Sequence, residues 1–244
     1  MNGSETARRS SFTRIQLGTG TMTPNRRHIL VALPLTAVAA CAGPLGSFSL
    51  ENGVQRLLEL SSQRAFARLI RPGGFYGDQL TRIDPPGLSD GGSGDVLGAI
   101  LRTGAVRRRL AVALNDLAVD AADRAAPIVT DAIRRMSYAD ALSIVRGGPT
   151  AATDLLEREV GDALIEAMFP EFSAGLNSDL AEIAAAAVAA RTGVDYRGLA
   201  RDASRLASRS IFRAIGREEA AIRADPRRTG DPAIVVLFGA PSFR

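Results

Sequence analysis

From residue 50 onward, apolar side chains recur every three or four positions, which is the spacing of one face of an α-helix. Proline and glycine interrupt this pattern, and each interruption marks an expected helix end. The pattern predicts a single helical domain over residues 50–244, an all-α multi-helix bundle. The predicted helices cover residues 50–70, 95–102, 105–136, 137–145, 150–168, 176–190, 196–224 and 231–239.

Several interruptions carry predictions of their own. Residues 71–95 are dense in glycine and proline, which predicts one irregular loop. Pro127 should kink or divide its helix and Pro170 should end the helix before it, because proline lacks a backbone N–H and clashes with the preceding turn. In the last segment, Asp231 and Pro232 predict a capped short helix, whereas the IVVLF sequence that follows also suits a strand.

The first 40 residues have the pattern of an N-terminal extension followed by an export signal peptide. Arg26 and Arg27 precede an apolar run from Ile29 to Ala40, which is shorter than the ~20 residues of a membrane span. The paired arginines resemble a twin-arginine export motif, although Asn25 and Ile29 replace its usual residues. An ordinary Sec signal is therefore the alternative.

Cys41 closes a Val-Ala-Ala-Cys run that resembles a lipobox. This pattern predicts that Cys41 becomes the lipid-modified N-terminus and that residues 41–49 form a short tether to the membrane. A free thiol, or cleavage earlier at the Ala-Val-Ala sequence that ends at Ala39, is the alternative. We expect a lipid-anchored protein on the periplasmic face of the cell envelope, and Ala42 in place of an aspartate favours the outer membrane.

Composition excludes several classes of chemistry. All 30 basic residues are arginine, and the only histidine is His28. Five arginines and one glutamate in residues 1–40 supply the whole net charge of +4, so the remainder, with 25 basic and 25 acidic residues, is neutral. We therefore expect no nucleic-acid partner. Without lysine, and with one histidine and one cysteine, the chain lacks a Schiff-base lysine, a Cys/His zinc site, an internal disulfide and a Ser-His-Asp triad. We predict no cofactor, no metal and no catalytic residue.

Two segments carry a family resemblance. Residues 136–156 read MSYADALSIVRGGPTAATDLL, and residues 211–239 read IFRAIGREEAAIRADPRRTGDPAIVVLFG. Both resemble the bacterial envelope family known as domain of unknown function 4197, which carries Met-x-x-x-Asp-Ala-Leu-x-Ile, Gly-Gly and Ala-Ala-Thr, then Glu-Glu-x-x-Ile-Arg-x-Asp-Pro and a closing Phe-Gly. The likeness extends loosely over residues 50–240 and weakens in residues 71–95. It implies an envelope location and no assigned activity. The matching positions are Met136, Asp140, Ala141, Leu142, Ile144, Gly147, Gly148, Ala151, Ala152, Thr153, Phe212, Glu218, Glu219, Ile222, Arg223, Asp225, Pro226, Phe238 and Gly239.

The densest polar group in the body is a candidate interaction surface formed by Glu218, Glu219, Arg223 and Asp225. A structural interpretation competes with it. Glu219 and Arg223 are four residues apart, which favours a stabilising ion pair along one helix. Asp225 precedes Pro226, and this sequence is typical of a helix end.

These patterns favour a function in binding. The first hypothesis is a lipid-anchored envelope protein that serves as an interaction or structural module. The alternative is a periplasmic binding module that holds an apolar ligand between its helices, which would need an exposed apolar groove. A carboxylate-based hydrolase is a third hypothesis, and it would need two acids that converge in a cleft.

Overall fold

A computed structural model describes residues 49–85, 104–139, 141–188 and 196–239. These residues contain helices and no strand, which confirms the predicted all-α multi-helix bundle. The predicted helix at residues 95–102, and the part of the loop beyond residue 85, lie outside the described residues. The helices are α1 (Leu50–Leu69), α2 (Gly104–Arg135), α3 (Ala141–Arg146), α4 (Ala151–Val188), α5 (Tyr196–Ala224), a 3-10 turn (Pro226–Thr229) and α6 (Pro232–Phe238).

Helix α1 begins and ends almost where the sequence predicts. The Ser49 hydroxyl accepts a hydrogen bond from the Asn52 backbone N–H at 3.1 Å, which satisfies one free donor of the first turn. The helix ends at Leu69, one residue before the predicted end. Val54, Leu57 and Leu58 are completely buried along its inner face, as the apolar spacing requires.

The two internal prolines do not divide their helices. Pro127 lies inside α2 and Pro170 lies inside α4, so the predicted helix end at Pro170 is wrong. A proline costs a helix about 3 kcal/mol. Pro170 is exposed, so water can bond the backbone carbonyl four residues earlier, to which proline has no N–H to donate. Met168 and Phe172 on either side are completely buried or nearly so, and each contributes about 1.5–3 kcal/mol.

Helices α4 and α5 form the centre of the bundle and are antiparallel. Residues at the start of α4 contact the end of α5, and Glu166, further along α4, pairs with Arg201 near the start of α5. Helix α2 packs on α4, α1 packs on α5 and α2, and α6 packs on α1. One continuous apolar core results, and its largest fully buried side chains include Leu57, Phe75, Leu114, Ile133, Leu156 and Phe172.

The irregular segment 71–85 is fixed to the bundle although it has no regular structure. Gly73 adopts a positive φ of 70°, a conformation that glycine adopts without strain. Phe75 is completely buried. The side chain of the buried Asn115 accepts a hydrogen bond from the Ile83 N–H at 2.9 Å and donates one to the Ile83 carbonyl at 2.8 Å. Asn115 thus holds the extended backbone at Ile83 as a neighbouring strand would.

The C-terminal segment is a helix, as its cap predicts, and the strand alternative is wrong. The Asp231 carboxylate accepts hydrogen bonds from the N–H groups of Ala233 and Ile234. Arg56 of α1 donates to the other carboxylate oxygen of Asp231 at 2.9 and 3.0 Å, which joins α6 to α1. Among the described helices, none has the length and apolar character needed to cross a bilayer.

Candidate functional site

Glu219 lies in the interior of the bundle, where it binds the start of α4. Its side chain is completely buried. The carboxylate accepts hydrogen bonds from the N–H of Ala152 at 3.1 Å, the N–H of Thr153 at 2.7 Å and the Thr153 hydroxyl at 2.6 Å. These backbone donors in the first turn have no partner within their own helix. Glu219 therefore caps α4 from α5, a role usually taken by the residue before the helix.

Arg223 completes this arrangement from the next turn of α5. Its Nε donates to Glu219 Oε1 at 2.8 Å, and its other nitrogens donate to the carbonyls of Ile144 and Val145 at 3.1 and 3.3 Å. The guanidinium also stacks over the Phe238 ring at 4.6 Å. We call Glu219, Arg223 and these partners the Glu219–Arg223 junction. It joins the end of α3, the start of α4 and α6.

The other two members of the predicted surface differ in position. Glu218 is buried and pairs with Arg68 of α1 at 2.6 Å. Asp225 is exposed and follows the last residue of α5, as the predicted helix end requires. The structure thus shows the predicted Glu219–Arg223 pair, but Glu219 is not on a surface. Only Asp225 of the four is exposed. Cys41, Arg26 and Arg27 lie outside the described residues.

An open groove runs between α4 and α5 beside the junction. It consists of two adjoining depressions of about 440 and 740 Å³ that share Asp154, Glu157 and Arg209. The floor includes Phe212 and the small residues Gly161 and Gly216. We call this surface the α4–α5 groove. Its α5 wall carries Arg205, Arg209, Arg213 and Arg217, and its α4 wall carries Asp154, Glu157, Arg158 and Asp162.

The arginines of the α5 wall belong to a regular series. Arginine occupies every fourth position of α5, at residues 197, 201, 205, 209, 213 and 217. Four residues exceed one helical turn, so each arginine lies about 40° further around the helix than the last. The series therefore winds from the side facing α4 across the groove to the side facing segment 71–85.

Arg201 near the start of the series and the last two arginines have partners. Arg201 pairs with Glu166 of α4 at 2.8 Å and stacks over the Phe169 ring. At the other end, Arg213 donates to the Leu80 carbonyl at 3.5 Å, and Arg217 pairs with Asp78. The hydrogen bond from Arg217 lowers the pKa of Asp78 below its usual value, and the N–H of Leu80 adds to this effect.

The middle of the groove is different. Among the residues that the structure describes, Arg205 pairs only with Asp202 on its own helix, at 3.1 Å. The Arg209 side chain has no ion pair or hydrogen bond within the described part of the chain, and the same holds for the side chains of Glu157 and Asp162 on the facing wall. All three are exposed. Opposite charges thus face each other across the groove without meeting.

The described residues show no constellation typical of catalysis. No group of three or more His, Cys, Asp or Glu in them could hold a metal ion. The two buried carboxylates, Glu218 and Glu219, each have an arginine partner. Charged side chains line both walls of the groove, and apolar side chains such as Phe212 and Ile165 contribute to its lining as well.

Sequence reasoning missed the groove for two reasons. The arginine series is visible as Arg-x-x-x repeated from Arg197 to Arg217, and searching for a period of four would have found it. The acids opposite the series are not recognisable, because Glu157 and Arg209 belong to different helices and only the fold brings their walls together.

Comparison with known proteins agrees with the two sequence segments described above. The family model described as Protein of unknown function (DUF4197) matches residues 44–239. Comparison with curated proteins gave no match, and comparison with solved structures gave none. The matched region contains both segments and every described helix within a single match. The chain therefore belongs to the DUF4197 family.

Proposed function

We propose that this protein is a lipid-anchored binding module of the cell envelope and that it acts through the α4–α5 groove. The observation that carries the proposal is the set of unpaired opposite charges at Arg209, Glu157 and Asp162. These groups are exposed and solvated, so they contribute little to the stability of the chain. They are also arranged in two rows that a partner can match.

The physical case for binding rests on the pattern of charge. A row of one sign beside a row of the other rejects partners of uniform charge, because one row always repels them. Exposed Leu80 at one end of the groove and half-buried Ile165 in its second depression add apolar surface to the charged walls. Interfaces commonly combine apolar contacts with polar and charged ones. The groove therefore suits a folded or helical partner that carries both charges.

The location is a separate part of the proposal and rests on the sequence. The lipobox-like run before Cys41 implies an anchor at this residue, and the outer membrane is favoured. Mass spectrometry of the N-terminal peptide should find Cys41 as the first residue with acyl chains attached. Cys41→Ser should leave the protein unprocessed or release it from the membrane fraction. A mature protein that retains Met1 would contradict this part.

Site-specific crosslinking in intact envelopes tests the groove. A photoreactive amino acid at Glu157 should give a discrete crosslinked product, which mass spectrometry can identify. The matched control is the same amino acid at Asp123, an exposed acid on α2. Products that are equal at the two positions, or absent at Glu157, would reject the groove as the binding site.

A further inference from the structure

We propose that the partner of the α4–α5 groove is a second copy of this chain, bound about a two-fold axis that runs along the groove. This inference rests on the proposed function, since it names the occupant of the same groove. It follows from the way the two walls are arranged. The walls of opposite sign run side by side on antiparallel helices, and such a surface is complementary to itself.

A two-fold axis along the groove determines which walls meet in the dimer. A two-fold axis along the groove exchanges left and right while it turns one copy to face the other. It therefore places the α4 wall of one copy over the α5 wall of its partner, and the same contact forms a second time. Positions along the axis do not change. Arg209 of one copy thus lies level with Glu157 and Asp162 of the other, which are the acids it faces across its own groove.

The charges of the two walls are unequal in number but opposite in sign. Asp154, Glu157 and Asp162 outnumber Arg158 on the α4 wall. The α5 wall carries Arg205, Arg209 and Arg213, while Arg217 is already paired with Asp78. Each wall of one copy thus finds a net opposite charge on the facing wall of its partner.

Other occupants match this surface less well. A phosphate-rich ligand would be attracted to Arg209 but repelled by Glu157 and Asp162, and a cationic ligand would meet the reverse. Within the described part of one chain, Arg209 forms no ion pair with these acids, although all of them line the same groove. A second copy brings a complete set of opposite charges to both walls.

The test is the molar mass of the full-length protein in solution, with single charge reversals. The wild type should sediment as a dimer at micromolar concentration and low salt. Arg209→Glu and Glu157→Arg should each raise the dissociation constant at least about tenfold, because each places like charges together twice in the dimer. Added salt should weaken the wild-type dimer, since the paired charges are partly screened. The matched control is Arg107→Glu, a reversal of an exposed arginine on α2 away from the groove, and it should leave the mass unchanged.

Mixing the two reversed variants gives the decisive result. In the mixed dimer, the glutamate introduced at position 209 of one variant lies against the arginine introduced at position 157 of the other, and the second contact is the native one. A 1:1 mixture should therefore recover the dimer that neither variant forms alone, and this recovery also shows that both variants are folded. A wild-type monomer at 100-fold higher concentration, unchanged dimers in both variants, or no recovery on mixing would each overturn the inference. If the wild type is monomeric while Glu157 crosslinks to another envelope protein, the self-association fails and the proposed function stands.

Discussion

The Glu219–Arg223 junction and the α4–α5 groove both involve α4 and α5 and the same kinds of charged residue. Along α5, Arg209 of the groove lies about three helical turns from Glu219 of the junction. At the junction, every oxygen of Glu219 has a partner and the side chain has no contact with water. In the groove, Arg209 and Glu157 remain in water and meet no opposite charge in the described chain. The chemistry of the side chains is alike, and their burial differs.

This difference separates charges that hold the fold from charges that are available for recognition. A buried carboxylate needs partners within the chain, because removal from water costs several kcal/mol. An exposed carboxylate keeps its water until a partner displaces it. In this protein, therefore, charge content alone does not show which charged residues are available to a partner. The position of the charge relative to the core decides which role it takes.

Removing the buried carboxylate should have the largest effect on stability. Glu219→Ala leaves the first amides of α4 without an acceptor and leaves Arg223 buried without a counter-charge. We expect a loss of about 3–5 kcal/mol in the free energy of unfolding, the range for breaking one side of a buried pair. Denaturant titration followed by circular dichroism measures it. Glu157→Ala in the groove is the matched control and should have little effect on stability. A loss below about 1 kcal/mol for Glu219→Ala would mean that the two regions do not differ as proposed.

An arginine-to-lysine exchange in each region should sharpen the comparison. Arg223→Lys keeps the charge beside Glu219 but loses the donors to Ile144 and Val145 and the planar stack on Phe238. We expect a loss of about 1–3 kcal/mol, because buried carbonyls lose their partners. The same exchange at Arg209 should have no measurable effect. Equal losses at the two positions would show that the planar shape of arginine matters as much in the groove as at the junction.

The Asp78–Arg217 pair is less buried than the junction and more buried than Arg209. Breaking it should therefore have an intermediate effect on the free energy of unfolding. Asp78→Asn should lower the free energy of unfolding at pH 7 by about 0.2–1 kcal/mol. The folded-state pKa of Asp78 is lowered, so the pair stabilises the fold fully above about pH 4, the ordinary aspartate value. That stabilisation is lost as the pH falls through the lowered value. Unfolding curves of the two proteins should therefore converge in acid, and a constant difference down to about pH 2 would exclude this linkage.

Neutralising the unpaired arginine should have the smallest effect. Arg209→Gln removes a solvated charge with no partner in the described chain, so the free energy of unfolding should change by less than about 0.5 kcal/mol. The free energy of unfolding should be measured at high salt and low protein concentration, where the proposed association between copies is weak. A loss above about 1 kcal/mol would mean that Arg209 has a structural role like that of Arg223.

Local signals in the sequence predict much of the fold. The ends of α1 follow from Ser49 and from the Pro-Gly-Gly sequence after Arg71, and the start of α6 follows from Asp231 and Pro232. In each case the residues that determine the boundary lie within a few positions of it. The Glu219–Arg223 pair was predictable for the same reason, since its members are one turn apart.

Features that depend on distant residues could not be predicted this way. The continuation of α4 through Pro170 depends on packing of Met168 and Phe172 against other helices, which outweighs the local preference of proline. The bond between Glu219 and Thr153 spans 66 positions, and nothing near either residue indicates the other. The same separation hides the groove, because its walls are formed by two helices whose relative position comes only from the core.

The cap that Glu219 provides for α4 has a consequence for the order of events during synthesis. Ala152 leaves the ribosome 67 residues before Glu219, which at 5–20 residues per second corresponds to roughly 3–13 s. During that interval, the first turn of α4 lacks the acceptor that it has in the finished protein. A nascent chain that stops before α5 should therefore have a frayed α4 start, with rapid amide exchange at Ala152 and Thr153. Protection of these two amides should arise only after residue 219 has been made. The start of α4 therefore becomes stable late in the synthesis of the chain.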